Sequence, residues 1–318
     1  MALSRCPRSL PLLWLLCFLF GQAAALSYDY YASTCPNVED IVRSAMRGIF
    51  VDIRAPAAMI RLAFHDCQVD GCDASILLDQ GSDGTAEIES PSNLGIHKLN
   101  AIDTVKNQLE AACPQTVSCA DIIALAAREA VAQNGGPNIR VPLGRLDGFD
   151  ASASAATKFL PLATISAAGT IDLFGAMGMT PEESVAILGS HTVGVAHCTN
   201  FANRLYPQLD PNLGLVFGAS LRARCPRLAP VNLVATLDTT FLRFDNSYFR
   251  NVLNNRGLLT ADLNLALDPR TRPIVETFAN DQDAFFQAFS SAFVKLTSYR
   301  VHTGNQGEVR LNCHFTNS

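Results

Sequence analysis

The cysteines constrain this chain more than any other feature. Ten are present, and two of them, Cys6 and Cys17, fall in a leader. Arg5 and Arg8 give that leader a positive start, an apolar run follows from Leu10 to Phe20, and "GQAAALS" places small residues at Ala23 and Ala25. This is the pattern of a secretory signal peptide, residues 1–25, cut after Ala25. The apolar run is short for a bilayer span, and the chain has no other comparable stretch. Eight cysteines then remain: Cys35, Cys67, Cys72, Cys113, Cys119, Cys198, Cys225 and Cys313. An even number in a secreted chain implies a framework of four disulfides. No CxxC pair with matching histidines offers a zinc cluster instead. On the order of a hundred pairings are open, and the spacing does not choose among them.

Loss of Arg5 and Arg8 takes the net charge from −5 to −7. An acidic chain is a poor partner for nucleic acid and is favoured as a soluble protein. Helical spacing dominates the chain beyond the leader. "VEDIVRSAMRGIFVD" repeats apolar residues at three and four, with acids in its first turn. "AAMIRLAFHDC" continues the pattern after Pro56, and "AIDTVKNQLEAAC" carries Ile102, Val105 and Leu109 on one face. "VSCADIIALAAREAVAQNGG" opens on a Ser118 cap and stops at Gly135–Gly136, and "TISAAGTIDLFGAMG" is a further helix. Thr180, Pro181 and Glu183 spell a capping box. "PIVETFANDQDAFFQAFSSAFVKLT" supplies one or two late helices, and strand signals are few and short. The fold class is mostly α, with long functional loops.

The chemistry concentrates in "RLAFHDCQVDGCDAS", residues 61–75. Arg61 and His65 are four apart and share a helix face. A histidine can take a proton near neutral pH and return it, and an arginine beside it can stabilise a developing oxyanion. The pair suits heterolysis of an O–O bond; it also suits a plain surface ion pair. Asp66, Asp73 and Ser75 are oxygen donors, and carbonyls near Val69 and Gly71 could join them around a hard cation. An EF-hand fits poorly, because Gln68 and Leu77 stand where acids belong. A different calcium loop pinched by Cys67 and Cys72 fits better, and a solvated acidic turn stays open. His191, at the end of "ILGSHTVG", could give an imidazole nitrogen to haem iron or zinc. "LDTTFLRFDNSYF" offers Asp238, Thr239, Thr240 and Asp245 as a second oxygen-rich loop near Thr192, or as a capping turn. His97, His197, His302 and His314 read as structural or surface groups.

In order along residues 28–316, "RLAFHDCQVDGCDASILLD", "TVSCADIIALAAR", "VPLGRLDG", "LGSHTVGVAHC", "FDNSYF" and "GEVRLNC" resemble the class III secretory haem peroxidases of plants. The resemblance implies a signal peptide followed by one peroxidase domain, residues 26–318. It implies two helical lobes, distal and proximal, with one haem b between them and two Ca²⁺ ions. His65 would be the distal base toward H₂O₂, Arg61 would stabilise the leaving hydroxide, and Phe64 would line the pocket. Asn93 would hold His65 basic, with Glu87 linking that contact to the distal calcium. His191 would be the axial haem ligand, hydrogen-bonded to Asp262, which pushes electron density toward the iron. Pro161 would stand where phenolic donors bind. The distal calcium would use Asp66, Val69, Gly71, Asp73 and Ser75. The proximal one would use Thr192, Asp238, Thr240, the Arg243 carbonyl and Asp245. The implied disulfides are Cys35–Cys113, Cys67–Cys72, Cys119–Cys313 and Cys198–Cys225, and Asp121 with Arg145 would be a buried ion pair.

Several positions depart from the pattern. Gln68 stands where phenylalanine is usual. Asp238 is seven residues before Asp245, one fewer than usual, and Phe241 replaces the proline after Thr240. Ile139 and Leu146 replace a common tryptophan and arginine, and no N-x-Ser/Thr sequon with a permitted middle residue exists. The expected function is a secreted, apoplastic, monomeric peroxidase of phenolic donors, with no membrane or nucleic-acid partner in the mature form. The absence of a long tail after Cys313 favours the apoplast over the vacuole. One rival is a calcium-stabilised, disulfide-rich wall or binding protein without turnover. The other, a hydrolase using His65 and Asp66, lacks a nucleophile motif such as G-x-S-x-G.

Overall fold

The caps read from the sequence set the helix ends. In the computed structural model, which describes residues 25–228 and 230–317, the Ser118 hydroxyl accepts from the Asp121 amide at 3.1 Å. Thr180 and Glu183 close their reciprocal capping box. Except for Ala25, the expected signal peptide lies outside the described residues. Among the described residues there are thirteen α-helices. The first four are α1 (Val38–Ile49), α2 (Ala55–Gln68), α3 (Leu99–Ala112) and α4 (Cys119–Gln133). Then come α5 (Ala153–Phe159), α6 (Ala167–Gly175), α7 (Pro181–Leu188), α8 (Ala202–Leu205) and α9 (Leu215–Arg224). The last are α10 (Ser247–Leu253), α11 (Thr260–Leu267), α12 (Arg272–Asn280) and α13 (Gln282–Thr297). The late apolar run divides into two helices because Asp281 ends α12 and caps α13, accepting from the Ala284 amide at 2.9 Å. One short antiparallel pair, β1 (Val195–His197) with β2 (Val234–Thr236), is the sheet.

The mostly helical, two-lobed peroxidase fold is the one expected. In one lobe α1, α3 and α4 pack together and α2 lies along α4; in the other α13 packs on α7 and α12, α6 on α7, and α10 on α11 and α12, and α13 also meets α2. A continuous apolar core crosses both, from Val42, Leu62 and Ile122 to Phe249, Phe285 and Phe289. Burial of such side chains stabilises by roughly 1.5–3 kcal/mol each. Phe244 stacks on Phe285 (centroids 5.7 Å, 8° between planes), and Phe249 meets Phe285 edge-on at 4.9 Å. Gly189, just before His191, must be glycine: a Cβ there would stand 2.5 Å from the Phe285 ring and 2.9 Å from Phe249. The aromatic core thus fixes the backbone that carries His191.

All four implied disulfides are present: Cys35–Cys113, Cys67–Cys72, Cys119–Cys313 and Cys198–Cys225. The "GRLDG" segment ties the N-terminus of α4 to the distal loop. Asp147 accepts from the amides of Cys119 (3.1 Å) and Ala120 (2.8 Å), where a carboxylate complements the helix dipole. The Gly148 amide donates to the Asp73 carbonyl at 2.8 Å. Arg145 and Asp121, both fully buried, meet at 2.7 Å. Asp121 also accepts from the Tyr31 hydroxyl (2.8 Å) and the Gly144 amide (2.7 Å). Removing one partner of such a pair strands the other charge out of water. Asp121→Ala is therefore expected to lower stability by about 3–5 kcal/mol, read as a fall in the thermal unfolding midpoint. A midpoint equal to wild type would show that the pair carries no stability.

Candidate active site

His65 and Arg61 lie on one face of α2. The Arg61 Nε–H donates to His65 Nε2 at 3.1 Å, and Arg61 Nη1 donates to the Leu94 carbonyl at 3.0 Å. The other ring nitrogen, His65 Nδ1, is 2.6 Å from Asn93 Oδ1. Asn93 is oriented in turn, because its Nδ2 donates to the Glu87 carbonyl at 2.7 Å. Its Oδ1 can only accept, so the proton of His65 sits on Nδ1 and Nε2 carries the lone pair. Burial, then the Arg61 charge, pull the His65 pKa from 6.5 down to about 3; the Asn93 contact opposes them weakly. The imidazole is thus neutral and basic at Nε2 across the ordinary pH range. Burial also lowers Arg61, to about 10, which leaves it charged. Phe64, half-buried, meets the His65 ring edge-on with centroids 5.7 Å apart.

The loop after His65 is not a solvated turn. Asp66, Gly71, Asp73 and Ser75 are all buried; only Asp70 reaches water. Gly71 has φ +130°, and a Cβ there would run into the Arg300 carbonyl, so the loop needs glycine. Ser75 Oγ donates to Glu87 Oε2 at 2.9 Å, and Asp66 Oδ2 accepts from the Ala74 amide at 3.2 Å. Yet Asp66 Oδ1 and Glu87 Oε1 are buried with no hydrogen-bond partner. Burial, then Asp73 and Glu87, push the Asp66 pKa well above its ordinary value, and burial pushes Glu87 up to about 8. Buried, orphaned carboxylate oxygens in one place fit a cation. No cluster of three His, Cys, Asp or Glu side chains stands ready for a metal among the described residues. A cation here would draw on hydroxyl and carbonyl oxygens as well.

On the other side, His191 Nδ1 is 2.8 Å from Asp262 Oδ1. Asp262 is fixed by the Tyr248 hydroxyl, which donates to Oδ1 at 2.9 Å, and by the Leu259 amide, which donates to Oδ2 at 3.0 Å. The carboxylate accepts the Nδ1–H hydrogen bond of His191, which leaves the Nε2 lone pair free to ligate a metal. Asp262 is buried while the His191 side chain stays one-third exposed. These residues fit a haem iron ligand: one nitrogen free and accessible, the other held by a carboxylate. Beyond His191 the chain returns to α2. Gly194 packs on Ala57, and His197 packs with the Gly95 backbone beside Arg61. His197, read from sequence as structural or surface, thus borders the distal site while its Nδ1 lies 2.7 Å from the Val231 carbonyl.

The residues of the second oxygen-rich loop lie together, Asp238 among them. Thr192 Oγ1 donates to Asp238 Oδ2 at 2.9 Å and lies 3.4 Å from both the Arg243 carbonyl and Asp245 Oδ1. Thr240 Oγ1 is 3.0 Å from Asp245 Oδ1 and 3.2 Å from Asp238 Oδ1. The one-residue shortening before Asp245 does not carry Asp238 away. Asn251, which carries no signal in the sequence, donates to Asp238 Oδ1 at 2.9 Å. Gln68 is buried at the end of α2, with Nε2 donating to the Phe159 carbonyl at 3.2 Å. Pro161 is half-buried, two residues past the end of α5.

A buried neutral histidine beside an arginine, with a carboxylate-held histidine in the other lobe, fits a haem peroxidase. The family model "Peroxidase" matches residues 38–281. Peroxidase 29 of Arabidopsis thaliana is 49% identical over 302 residues, covering 91% of this chain and 88% of its own length. Peroxidase 66 of the same plant is 40% identical, over 92% of this chain and 93% of its own length. Cationic peroxidase SPC4 of Sorghum bicolor is 39% identical, over 93% and 83%. The chain belongs to the peroxidase family, among the class III enzymes of plants. It is an enzyme that uses H₂O₂ and a small-molecule donor, with haem as cofactor.

Proposed function

We propose that the protein is a secreted, monomeric peroxidase that oxidises phenolic donors outside the cell, after removal of residues 1–25, with one haem b and two Ca²⁺ ions. The observation that carries this reading is His65, neutral, with Nδ1 held by Asn93 and its Nε2 lone pair beside Arg61. The haem would be held through His191 Nε2. When bound, it would supply the redox capacity to cleave the O–O bond of the peroxide. His65 Nε2 would take a proton from one oxygen of H₂O₂ and deliver it to the other, which leaves as water. The Arg61 guanidinium stabilises the negative charge on that departing oxygen. Asn93 keeps the ring in the tautomer this transfer needs, and Phe64 excludes water from one side. Asp262 holds His191 strongly donating. Two phenols then each give one electron and one proton near Pro161, so one H₂O₂ yields two waters and two phenoxyl radicals.

One calcium would sit with Asp66, Asp73, Ser75 and the carbonyls of Val69 and Gly71, with Glu87 behind Ser75. Its charge would offset the orphaned oxygens of Asp66 and Glu87. The other would sit with Thr192, Asp238, Thr240, the Arg243 carbonyl and Asp245. Both loops join a histidine directly, so loss of the ion would loosen the site. Among the described residues no helix is long and apolar enough to cross a membrane.

The purified protein is expected to show a Soret band and to oxidise guaiacol with H₂O₂. His65→Ala is expected to slow the reaction with H₂O₂ by at least about 10²–10⁴-fold while the Soret band persists. A folded protein without haem absorbance would refute the reading, and an unchanged rate in the variant would remove His65 as base. Prolonged EDTA treatment is expected to lower the thermal midpoint and the activity, with Ca²⁺ restoring both. Indifference of both to EDTA would remove the calcium assignment.

A further inference from the structure

The chain between α5 and α6 bridges the two lobes beside the site. Leu160 is extended (φ −74°, ψ 131°) and precedes Pro161, so α5 ends at Phe159. The last carbonyls of the helix are then left without partners inside it. Gln68 reaches one of them from α2, three residues after His65: its Nε2 donates to the Phe159 carbonyl at 3.2 Å. At the other end, Asn264 of α11 donates from Nδ2 to the Ile165 carbonyl at 2.9 Å. The Ala261 amide donates to the Ala163 carbonyl, also at 2.9 Å. Residues 159–165 thus form a strap tied at one end to the helix of His65 and at the other to the helix of Asp262. Between the ties Pro161 is half-buried and Leu162 is 71% exposed. Beneath the strap, Val69, Ala156 and Leu160 make a small apolar cluster against which Phe64 and Phe159 pack.

We propose that Gln68 and Asn264 are positioning residues for the donor: they hold the strap, and with it the apolar rim of Pro161 and Leu162, where an aromatic donor meets the site. The proposal rests on the reading that donors react beside Pro161. Neither amide touches the donor; each holds a backbone carbonyl of the strap. Gln68 is retained at a cost, since its Oε1 is buried without a partner. A phenylalanine or leucine there would avoid that cost but could not donate to Phe159. A misplaced rim weakens the encounter with the donor and leaves the peroxide chemistry at His65 alone.

The test uses the holoenzyme with guaiacol as donor. Gln68→Met and Asn264→Leu keep approximate volume and remove the amide. Each is expected to raise the guaiacol KM by about 3- to 10-fold and to leave the second-order constant for H₂O₂ within about twofold of wild type. Wild-type KM in Gln68→Met and Asn264→Leu would overturn the proposal, as would a parallel fall in the H₂O₂ constant. If Gln68→Met does not load haem, Asn264→Leu decides the same question from the proximal side. Pro161→Ala separates the two levels. A raised KM there beside wild-type KM in the amide variants overturns only the strap. An unchanged KM in Pro161→Ala overturns the donor-site reading and the strap with it.

Discussion

The hydrogen bond between Asn93 and His65 is the contact on which the rest of the site depends. It occupies Nδ1 and leaves Nε2 as the basic nitrogen, facing Arg61. A buried imidazole with a cationic neighbour resists protonation by solvent, so it is a weaker base but its Nε2 lone pair stays available to a proton of the peroxide. The arrangement holds because Asn93 cannot turn over: its amide nitrogen is committed to the Glu87 carbonyl. Glu87 is committed in turn to Ser75, and Ser75 belongs to the loop that follows His65 directly. The network closes on itself, from helix to loop and back to helix. A cation bound among the acids of that loop would stabilise the base without touching it.

The proximal histidine is built by a similar logic from different parts. Glycine at 189 lets the backbone lie on Phe285 and Phe249, so packing sets where His191 stands. The Tyr248–Asp262 contact sets which nitrogen is free. Thr192, the next residue, enters the oxygen-rich loop of Asp238, Thr240 and Asp245. Each histidine therefore has an apolar side that places it, a polar partner that orients it, and an acidic loop one residue away that can be braced by a cation. The strap of residues 159–165 joins the two halves where a donor would enter.

Much of this was legible in the sequence, because caps, helical spacing and clustered reactive residues are local signals. Ser118, Thr180 with Glu183, and the Arg61–His65 spacing each act within a turn, and each appears as read. The disulfide pairing was not legible from spacing, since pairing is a property of the closed fold; it followed only from the resemblance. The sequence shows no helix over α5, α8, α10 and α11, which run for eight residues or fewer and have too few turns to show a period, nor over α9, which buries only Gly218 and Leu221 and so presents no clear apolar face. Asp147 was passed over because its partners, the amides at the start of α4, lie far back in the chain. Gln68 could not be read for the same reason. Its partner at Phe159 is distant in sequence, and only the fold brings them together.

The pH dependence of the second-order constant for H₂O₂ in the holoenzyme tests the central claim most directly. Burial and Arg61 hold His65 down at about 3, so its neutral form persists above that value and is lost as pH falls through it. The constant should stay level from pH ~7 to pH ~4 and decline only as the medium approaches pH ~3. A half-loss near pH ~6.5, where an ordinary histidine titrates, would contradict the account.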